Sequence, residues 1–450
     1  MKYISTLGKC DPVDVETAIL NGFAPDGGLY VPEYIPTVSL EQLQRWKSLS
    51  FTDLAFEIIS LYVDREIVSE KHLRSLITDS FKSFEDPEIT PIRSLKSVSN
   101  ISILELFWGP TLSFKDMAMG FLLNLMEYFL VRKQEKRNIL VVTTGDTGPA
   151  TGYGAIGKST LNVWLLYPKG LISPEQEGQM TRLDFPNIRT VAVNNCPDGG
   201  DDLDRALADL MNDGEAKARY SLSSVNSINW GRVMVQTVHH FYGYFRLVEH
   251  VGDLATVSVP SGALGNLCSG AIAKEMGLPV NLLCANNSNA TIYRLFTSGS
   301  LSKRPLLNCV SSAMDIVVPY NFWRFLFIRT GMDQARFRRW YEQFNRTGEL
   351  KFDEESLTSI KQGLMATAVD DTSTKSVIKE LFEQEQYLID PHGAVAVAAA
   401  LSLREQVTED RPVLCLATAH PAKFPEALST VFSDTGYQAH ARHESIEAAD

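Results

Sequence analysis

The chain lacks several features that would assign it to a common class of protein. Its six cysteines are scattered and include no Cys-x-x-Cys pair, which argues against a disulfide framework and against a zinc site. No apolar run reaches the roughly 20 residues of a membrane-spanning helix. The first residues lack the apolar core of a signal peptide. We therefore expect a cytoplasmic protein with no metal site and no membrane partner.

A basic surface is also missing. Lysine and arginine number 42 against 54 aspartate and glutamate, so the 450 residues carry a formal net charge of −12. A general nucleic-acid binder would show a basic face, and we therefore expect no nucleic-acid partner. A small anion would have to be bound by a local group of donors that acts against this overall charge.

What the chain does have is a repeated pattern of strand, glycine-rich turn and helix. Six short apolar runs are typical of buried strands, at residues 138–144, 161–167, 188–193, 254–259, 280–285 and 411–417. Helical patterns separate these runs, which predicts an α/β fold of parallel sheets with helices on both faces. In such sheets, ligands bind beyond the carboxyl ends of the strands.

The same patterns predict three units. Residues 1–95 form an N-terminal α+β unit, with helices that begin near Leu40, Thr52 and Ser69. Residues 96–250 and 251–450 form two α/β lobes. In the second lobe the strands stop between about residues 320 and 385, which predicts a helical insertion there.

Lys115 is the most unusual residue in the pattern. An apolar run at 101–107 predicts a buried strand, which the following Gly-Pro ends. Thr111 and Ser113 then offer capping hydroxyls for a largely buried helix over residues 116–132. Lys115 would lie at the junction, where burial lowers the pKa of its amine and makes it a nucleophile. The alternative is a covered side-chain stem whose ammonium reaches solvent.

Two turns could each bind an anion. The turn at residues 143–148 places hydroxyls and consecutive backbone N–H groups at a helix start, although a capped helix without a ligand would look similar. The turn at residues 260–266 follows a strand directly and places two glycines and a hydroxyl at a helix N-terminus. That context favours a phosphate site over a simple tight turn.

A third polar group opens another helix. Asn226, Asn229 and Arg232 fall within seven residues, and an arginine aimed into a cleft suits phosphate or carboxylate recognition. A solvated arginine on the helix surface is the alternative. His392 and His420 are candidate acid–base groups, but each pattern is more typical of a hydrogen-bonded structural histidine.

Six motifs, in order along the chain, resemble the threonine synthase family of pyridoxal-phosphate (PLP) enzymes. They are Ala24-Pro-Asp-Gly-Gly-Leu-Tyr, Gly109-Pro-Thr-Leu-Ser-Phe-Lys-Asp, Gly145-Asp-Thr-Gly, Asn226-Ser-Ile-Asn-Trp, Pro391-His and Thr418-Ala-His-Pro-Ala-Lys-Phe. The resemblance spans nearly the whole chain. It implies fold type II, the tryptophan synthase β-like architecture, with PLP as the cofactor.

The resemblance also implies a role for each group of candidate residues. Lys115 would bind PLP covalently and move protons in catalysis. The cofactor phosphate would be held by Gly262, Ala263, Leu264, Gly265 and Asn266, and Thr418 would face the ring nitrogen. The substrate would be bound at its carboxylate by Thr143, Thr144, Gly145, Asp146 and Thr147, and at its phosphate by Lys169, Asn226, Asn229 and Arg232.

The implied reaction eliminates phosphate from O-phospho-L-homoserine and adds water to give L-threonine, in a monomer or a homodimer. One alternative is a related lyase that releases 2-oxobutanoate, or a β- or γ-replacement enzyme for a phosphorylated amino acid of a specialised pathway. A second alternative is a non-catalytic ligand-binding homologue, against which the presence of Lys115 weighs.

Four departures from the family pattern lie near the expected site. Pro149 stands where the family has serine or alanine, and Asn286-Asn-Ser-Asn289 stands where the family reads Asn-x-Asn-Asp. The phosphate loop usually reads Gly-Asn-Phe-Gly-Asp, and here it is Gly262-Ala-Leu-Gly-Asn266. Trp108 stands where the family usually has histidine. Because tryptophan has one donor and no titrating group, we expect either a changed substrate preference or a ring that only packs beneath the helix over residues 116–132.

Overall fold

The computed structural model describes residues 1–197, 199–404 and 411–432. Its first elements are β1 (Tyr3–Ser5), α1 (Val15–Asn21), β2 (Tyr30–Pro32), α2 (Leu40–Trp46), α3 (Phe51–Ile59) and α4 (Glu70–Phe81). Strands β1 and β2 pair antiparallel. Each helix begins after an aspartate or serine whose side chain accepts a hydrogen bond from the backbone N–H three residues later. The three helix starts predicted from the sequence are confirmed.

The next part of the chain alternates strands and helices. Its elements are β3 (Ile92–Ser94), β4 (Ile101–Glu105), α5 (Lys115–Lys133), β5 (Arg137–Val142), α6 (Thr147–Ala155), β6 (Leu161–Pro168), α7 (Pro174–Thr181), β7 (Ile188–Val193), α8 (Gly200–Asn212), α9 (Gly214–Arg219), β8 (Leu222–Ser223) and α10 (Trp230–Leu247). Strands β7, β6, β5 and β8 form a four-stranded sheet in that order, and all three pairings are parallel.

The remaining elements complete a second, larger sheet. They are β9 (Ala255–Pro260), α11 (Gly265–Glu275), β10 (Val280–Asn286), α12 (Thr291–Ser298), β11 (Ser300–Ser302), α13 (Tyr320–Arg329), α14 (Gln334–Thr347), β12 (Glu349–Lys351), α15 (Glu354–Lys361), β13 (Leu364–Ala368), α16 (Asp371–Glu385), α17 (Pro391–Ser402), β14 (Val413–Ala417) and α18 (Pro425–Phe432). Two short 3-10 turns span Ser312–Met314 and Pro421–Lys423.

The larger sheet has six strands in the order β13-β10-β9-β14-β4-β3. Every pairing is parallel except that of β3 with β4. Strands β4, β9 and β14 are buried along their whole length, as expected of a parallel sheet covered on both faces. The six sequence runs that predicted buried strands correspond to β5, β6, β7, β9, β10 and β14, which confirms them as strands. The predicted burial is wrong for β7, which is mostly exposed at the edge of its sheet, and β6 alternates between buried and exposed residues. The carboxyl ends of the strands carry the turns that were singled out as anion sites.

The sheets do not follow the predicted unit boundaries. Strand β4 pairs with β14, so residues 96–250 contribute strands to both sheets. This pairing joins residues more than 300 positions apart, which no local pattern reveals. The expectation that strands stop between about 320 and 385 is wrong, because β12 and β13 lie within that stretch and β13 forms an edge of the larger sheet. The division at about residues 95 and 250 stays a prediction, and residues after 432 lie outside the described part.

Helix α10 lies at the centre of the molecule. It contacts α3, α5 and α11, and its residues from Trp230 to Phe245 are all buried. Arg232, Gln236, His239 and His240 therefore lie inside the protein, and the spacing of three to four residues from Arg232 to Gln236 and from Gln236 to each histidine places them on one face of the helix. In the described ranges, no helix combines the length and apolarity needed to cross a bilayer.

Candidate active site

A cavity of about 120 Å³ lies where α5, α10, α11 and the ends of β5, β9 and β14 meet. Its lining includes Lys115 from the start of α5, the turn after β9, and Thr418, which directly follows β14. The backbone holds two of these together, since the Phe114 N–H donates to the Thr418 carbonyl over 2.8 Å. The cavity therefore lies at the carboxyl ends of the strands, where the strand–turn pattern predicts ligand binding.

Lys115 is the first residue of α5, and its amine faces this cavity. The Nζ atom lies 3.9 Å from the centroid of the Phe114 ring. Burial lowers the pKa of Lys115 to about 8, and the positive charges of Arg232 and Lys423 act in the same direction, while Asp146 opposes them. At pH 7 about one amine in ten is then neutral, against about one in 3,000 for an unperturbed lysine. The side chain can therefore act as a nucleophile.

The loop before Lys115 is held by Asp116 rather than capped by a hydroxyl. Asp116 accepts hydrogen bonds from the backbone N–H of Thr111 over 2.8 Å and from its hydroxyl over 2.7 Å. Burial raises the pKa of Asp116 to about 6, although both bonds act against this rise. The expected capping by Thr111 and Ser113 is wrong, because the cap residue is Phe114 and makes no side-chain bond. The Thr111 hydroxyl is already committed to Asp116.

The turn at residues 262–266 forms one wall of the cavity and leads into α11. All five of its residues line the cavity. Leu264, the residue before the helix, has φ of 59°, so the following backbone N–H groups begin the helix at the cavity. A Cβ at Gly262 would lie 2.8 Å from the Ala313 carbonyl, so only glycine fits there. The amide nitrogen of Asn266 is buried and has no hydrogen-bond partner within the described part of the protein.

Arg232 reaches the cavity from the first turn of α10. Its side chain is 1% exposed, and Nη1 donates to the Val225 carbonyl over 3.0 Å, while Nε has no partner among the described residues. Burial lowers its pKa to about 10, which leaves the guanidinium charged at neutral pH. No described carboxylate pairs with it. A buried cation without a counter-ion that lines a cavity is suited to binding an anion.

Comparison with known proteins identifies the family. The chain is 36% identical to "Threonine synthase" from Schizosaccharomyces pombe over 466 residues, an alignment that covers 96% of this chain and 90% of the relative. The chain belongs to the threonine synthase family. Family models described as "Threonine synthase N terminus" and "Threonine synthase, C-terminal" match residues 2–81 and 393–448.

Other members of this family are similar along their whole length. "Threonine synthase-like 2" from Homo sapiens is 34% identical, with 95% of this chain and 88% of the relative covered. A crystal structure described as "PLP bound Threonine synthase from Brucella melitensis" superposes with a TM-score of 0.91 at 32% identity, covering 99% of this chain and 94% of the other. The predicted family and the predicted fold type II are both confirmed.

The threonine-rich turn after β5 supplies only part of its residues to the cavity. Thr144, Asp146 and Thr147 line it. The hydroxyl of Thr143 instead accepts hydrogen bonds from the N–H groups of Gly145 and Gly148, both over 3.0 Å. Thr143 and Gly145 therefore shape the turn rather than face a ligand, as their absence from the lining indicates.

Asp146 is ion-paired, which sequence reasoning did not anticipate. Its Oδ1 lies 3.1 Å from Nζ of Lys423 and accepts a hydrogen bond from Gln176 over 3.0 Å. Burial alone would raise the pKa of Asp146, but the positive charges of Lys423 and Lys115 bring it down to about 2. Lys423 also donates to the Thr111 carbonyl over 2.7 Å and to Gln179 over 2.9 Å. It therefore connects the turn after β5 to the loop before Lys115.

Three other predicted substrate residues lie outside the cavity lining. Asn229 caps α10, and its amide donates to the carbonyls of Ile19 and Ser224. Asn226 donates to the Val142 carbonyl over 3.1 Å. Both amides are committed to holding the turn before α10. Lys169 is exposed at the end of β6. Of the four residues predicted to bind the substrate phosphate, only Arg232 lines the cavity.

The cavity also contains residues that sequence reasoning missed or set aside. Gln236 lines it one turn after Arg232, and its Oε1 has no partner in the described ranges. The four-residue spacing on one helix could have revealed it. His392 lines the cavity too, but Nδ1 bonds to Asp390 over 2.7 Å and Nε2 accepts from the Ala313 N–H over 3.1 Å. With both ring nitrogens committed, it has the structural role that the sequence favoured.

Trp108 packs away from the cavity. Its indole N–H donates to Glu105 over 2.9 Å, and its ring packs against Phe107 in the hydrophobic cluster around α17. Trp108 is not part of the cavity lining. Of the two readings of this departure from the family pattern, the geometry favours a packing role, but the ring packs in the cluster around α17 and not beneath α5 as expected.

Proposed function

We propose that this chain is a PLP-dependent lyase that eliminates phosphate from O-phospho-L-homoserine and adds water to give L-threonine. The observation that carries the proposal is a single cavity lined by an amine with a lowered pKa and by two separate elements suited to binding anions. These elements are the turn at residues 262–266 and the guanidinium of Arg232. A phosphorylated cofactor and a phosphorylated substrate together require two such elements. The whole-length similarity to threonine synthases supports the same reading.

The residues present fit PLP. Lys115 supplies the amine that binds its aldehyde, and the turn from Gly262 to Asn266 supplies backbone N–H groups and a free amide for its phosphate. The bound cofactor supplies an electron sink that stabilises negative charge at the substrate carbon. Thr418 offers a neutral hydroxyl where the family pattern expects a partner for the ring nitrogen. Its lack of charge leaves that nitrogen without an acidic partner.

The protein's own groups then orient the substrate and move protons. The neutral amine of Lys115 takes a proton from Cα of the substrate and then one from Cβ, after which phosphate leaves from Cγ and water adds at Cβ. Arg232 binds the phosphate and stabilises it as it leaves, since its charge is not neutralised by any described carboxylate. The hydroxyls of Thr144 and Thr147 are available to the substrate carboxylate, and Lys423 neutralises Asp146, which would otherwise repel it.

Purified protein should be incubated with O-phospho-L-homoserine and, separately, with O-phospho-L-threonine, and the released phosphate, threonine and 2-oxobutanoate measured. We expect threonine and phosphate in equal amounts from the first substrate. Lys115→Ala should abolish both products, while Lys169→Ala, at an exposed lysine outside the cavity, serves as the matched control. Borohydride reduction followed by peptide mapping should locate the PLP adduct at Lys115. An adduct on another lysine would contradict the assignment.

A second candidate is a lyase that eliminates phosphate but releases 2-oxobutanoate. It stays a candidate because relatives described as threonine synthase-like 2, a name that does not state the product, match 95% of this chain at 34% identity, against 96% and 36% for a threonine synthase. The product assay separates the two, because 2-oxobutanoate would then exceed threonine with either substrate.

Three further predictions belong to this proposal. The six thiols are free and scattered, which favours a reducing compartment such as the cytoplasm. We propose a monomer or a homodimer. We also retain the division at about residues 95 and 250 as a proposal about folding units, which limited proteolysis would test.

A further inference from the structure

Two adjacent histidines lie behind the turn at residues 262–266. His239 and His240 are on α10, and both are fully buried. Their ring centroids are 4.6 Å apart, and burial lowers the pKa of both, so neither carries charge at neutral pH. Neither lines the cavity, and the reaction described above does not use them. Because each buried imidazole carries an N–H group, each ring needs a hydrogen-bond partner within the protein.

That partner is Asn266. Nε2 of His240 lies 3.0 Å from the backbone carbonyl of Asn266, and Nε2 of His239 lies 2.9 Å from its side-chain Oδ1. A carbonyl oxygen only accepts hydrogen bonds, so His240 must carry its proton on Nε2. The Ser269 hydroxyl donates to the same carbonyl over 2.7 Å. A Cβ at Gly270 would lie 2.9 Å from the ring of His240, so glycine at this position gives the ring its space.

The contact with His239 determines which way the Asn266 amide faces. When His239 donates from Nε2 to Oδ1, the amide NH₂ is turned to the other side. Asn266 lines the cavity, and its Nδ2 is the buried donor that has no partner among the described residues. The reverse orientation would aim an oxygen at an anion and would be unfavourable. With its proton on Nε2, the His239 imidazole therefore selects the orientation in which a donor points into the cavity, whereas the opposite tautomer would pair with the NH₂ group.

We propose that His239 is a positioning residue that fixes the Asn266 amide so that its NH₂ donates to the phosphate of the bound cofactor, while His240 fixes the backbone of the same residue. The inference rests on the proposed function in one respect, that PLP occupies this cavity. It goes further because it gives His239 and His240, which do not touch the cofactor, an indirect role in binding its phosphate through Asn266. Their effect should therefore depend on the phosphate and not on the aldehyde.

Pyridoxal, which has the aldehyde but no phosphate, separates these two contributions. The full-length protein should be titrated with PLP and with pyridoxal, following the visible absorbance of the protein-bound aldehyde. For His239→Leu we expect the preference for PLP over pyridoxal to fall about tenfold, the typical effect of losing one hydrogen bond to a charged group. The affinity for pyridoxal should stay the same. A general folding defect would lower both affinities and leave their ratio intact.

Three further variants sharpen the test. Asn266→Ala removes the proposed donor and should cause the same loss, and the double variant should lose no more than either single one. His239→Gln, which keeps a donor for Oδ1, should restore most of the preference. His250→Leu, at an exposed histidine, is the matched control and should behave as wild type.

The outcomes separate this inference from the proposed function. Wild-type protein that binds neither ligand at Lys115 would overturn the proposed function. Wild-type protein that prefers PLP, with an unchanged preference in His239→Leu or in Asn266→Ala, would overturn the positioning role alone. Strictly additive losses in the double variant would also overturn it. Should the leucine variant fail to fold, His239→Phe, which keeps a ring but has no donor for Oδ1, decides the question in its place.

Discussion

Replacing Lys423 by methionine removes the cation of a buried ion pair while keeping an unbranched side chain of similar length. The side chain of Lys423 is 2% exposed and that of Asp146 is 6% exposed, so the variant leaves a buried carboxylate that keeps the hydrogen bond from Gln176 and the charge of Lys115 but has lost its ion-pair partner. Breaking a buried pair by removing one partner typically costs about 3–5 kcal/mol. We expect Lys423→Met to lower the free energy of unfolding by about this amount in urea denaturation at pH 7.

A second substitution and a change of pH test the cause of that loss. The double variant Lys423→Met/Asp146→Asn should lose less than the sum of the two single variants, because no uncompensated charge is left. The pKa of Asp146 is lowered to about 2, below its unfolded value, so its stabilisation is present above about pH 4 and is lost as the pH falls towards 2. Without Lys423, burial raises the pKa of Asp146, so the difference between wild type and Lys423→Met should shrink as the pH falls through the raised pKa of the variant towards 2.

The exposed pair of Lys379 and Glu383, whose atoms lie 3.9 Å apart, provides the control. Lys379→Met should change the free energy of unfolding by less than about 1 kcal/mol. A loss of under about 1 kcal/mol for Lys423→Met as well would refute the reasoning. Additive losses in the double variant would refute it too, because they would show that the two charges do not interact.

Three other predictions concern the cavity. Because the pKa of Lys115 is lowered from 10.5 to about 8, the initial rate of its reaction with pyridoxal should rise about tenfold between pH 6 and 7 and level off above pH 8; a rate still rising at pH 10 would contradict this pKa. Arg232→Gln should reduce turnover of the phosphorylated substrate about tenfold or more at unchanged PLP content, measured by phosphate release and absorbance, and unchanged kinetics would assign the phosphate to another residue. Trp108→His should leave the ratio of threonine to 2-oxobutanoate unchanged, since the indole lies outside the cavity lining; a shifted ratio would show that this position does reach the substrate.

Local patterns predicted the parts of the site that depend on neighbours in sequence. The pattern of a strand, a Gly-Pro break and a helix correctly predicted that Lys115 lies at the junction of strand and helix. The pattern of strand, turn and helix around Gly262 to Asn266 predicted a ligand site, and this turn does line the cavity. In both cases the residues that define the geometry are within about ten positions of each other. The same locality explains the correct helix starts in the first unit.

Sequence patterns failed where the partner of a polar side chain lies far along the chain. The sequence placed Asn229 at the start of a helix, but its side-chain amide donates to the carbonyl of Ile19, which is 210 positions away in the chain. Lys423 reaches the Thr111 carbonyl across 312 positions. Strand β13 was missed because its short run at Leu364–Ala368 becomes a strand only by pairing with β10. Such long-range partners decide whether a polar residue binds a ligand or holds the fold.

The unneutralised charge of Arg232 has a thermodynamic consequence for the protein at rest. Burying this guanidinium costs desolvation free energy, and no described carboxylate forms an ion pair that would offset the cost. The buried charge therefore destabilises the folded protein when no ligand is bound. An anion that enters the cavity supplies the missing counter-charge, and it binds only the folded state. Phosphate should therefore raise the melting temperature in a concentration-dependent way, adding about 2.7 kcal/mol to the free energy of unfolding at a hundred times its Kd.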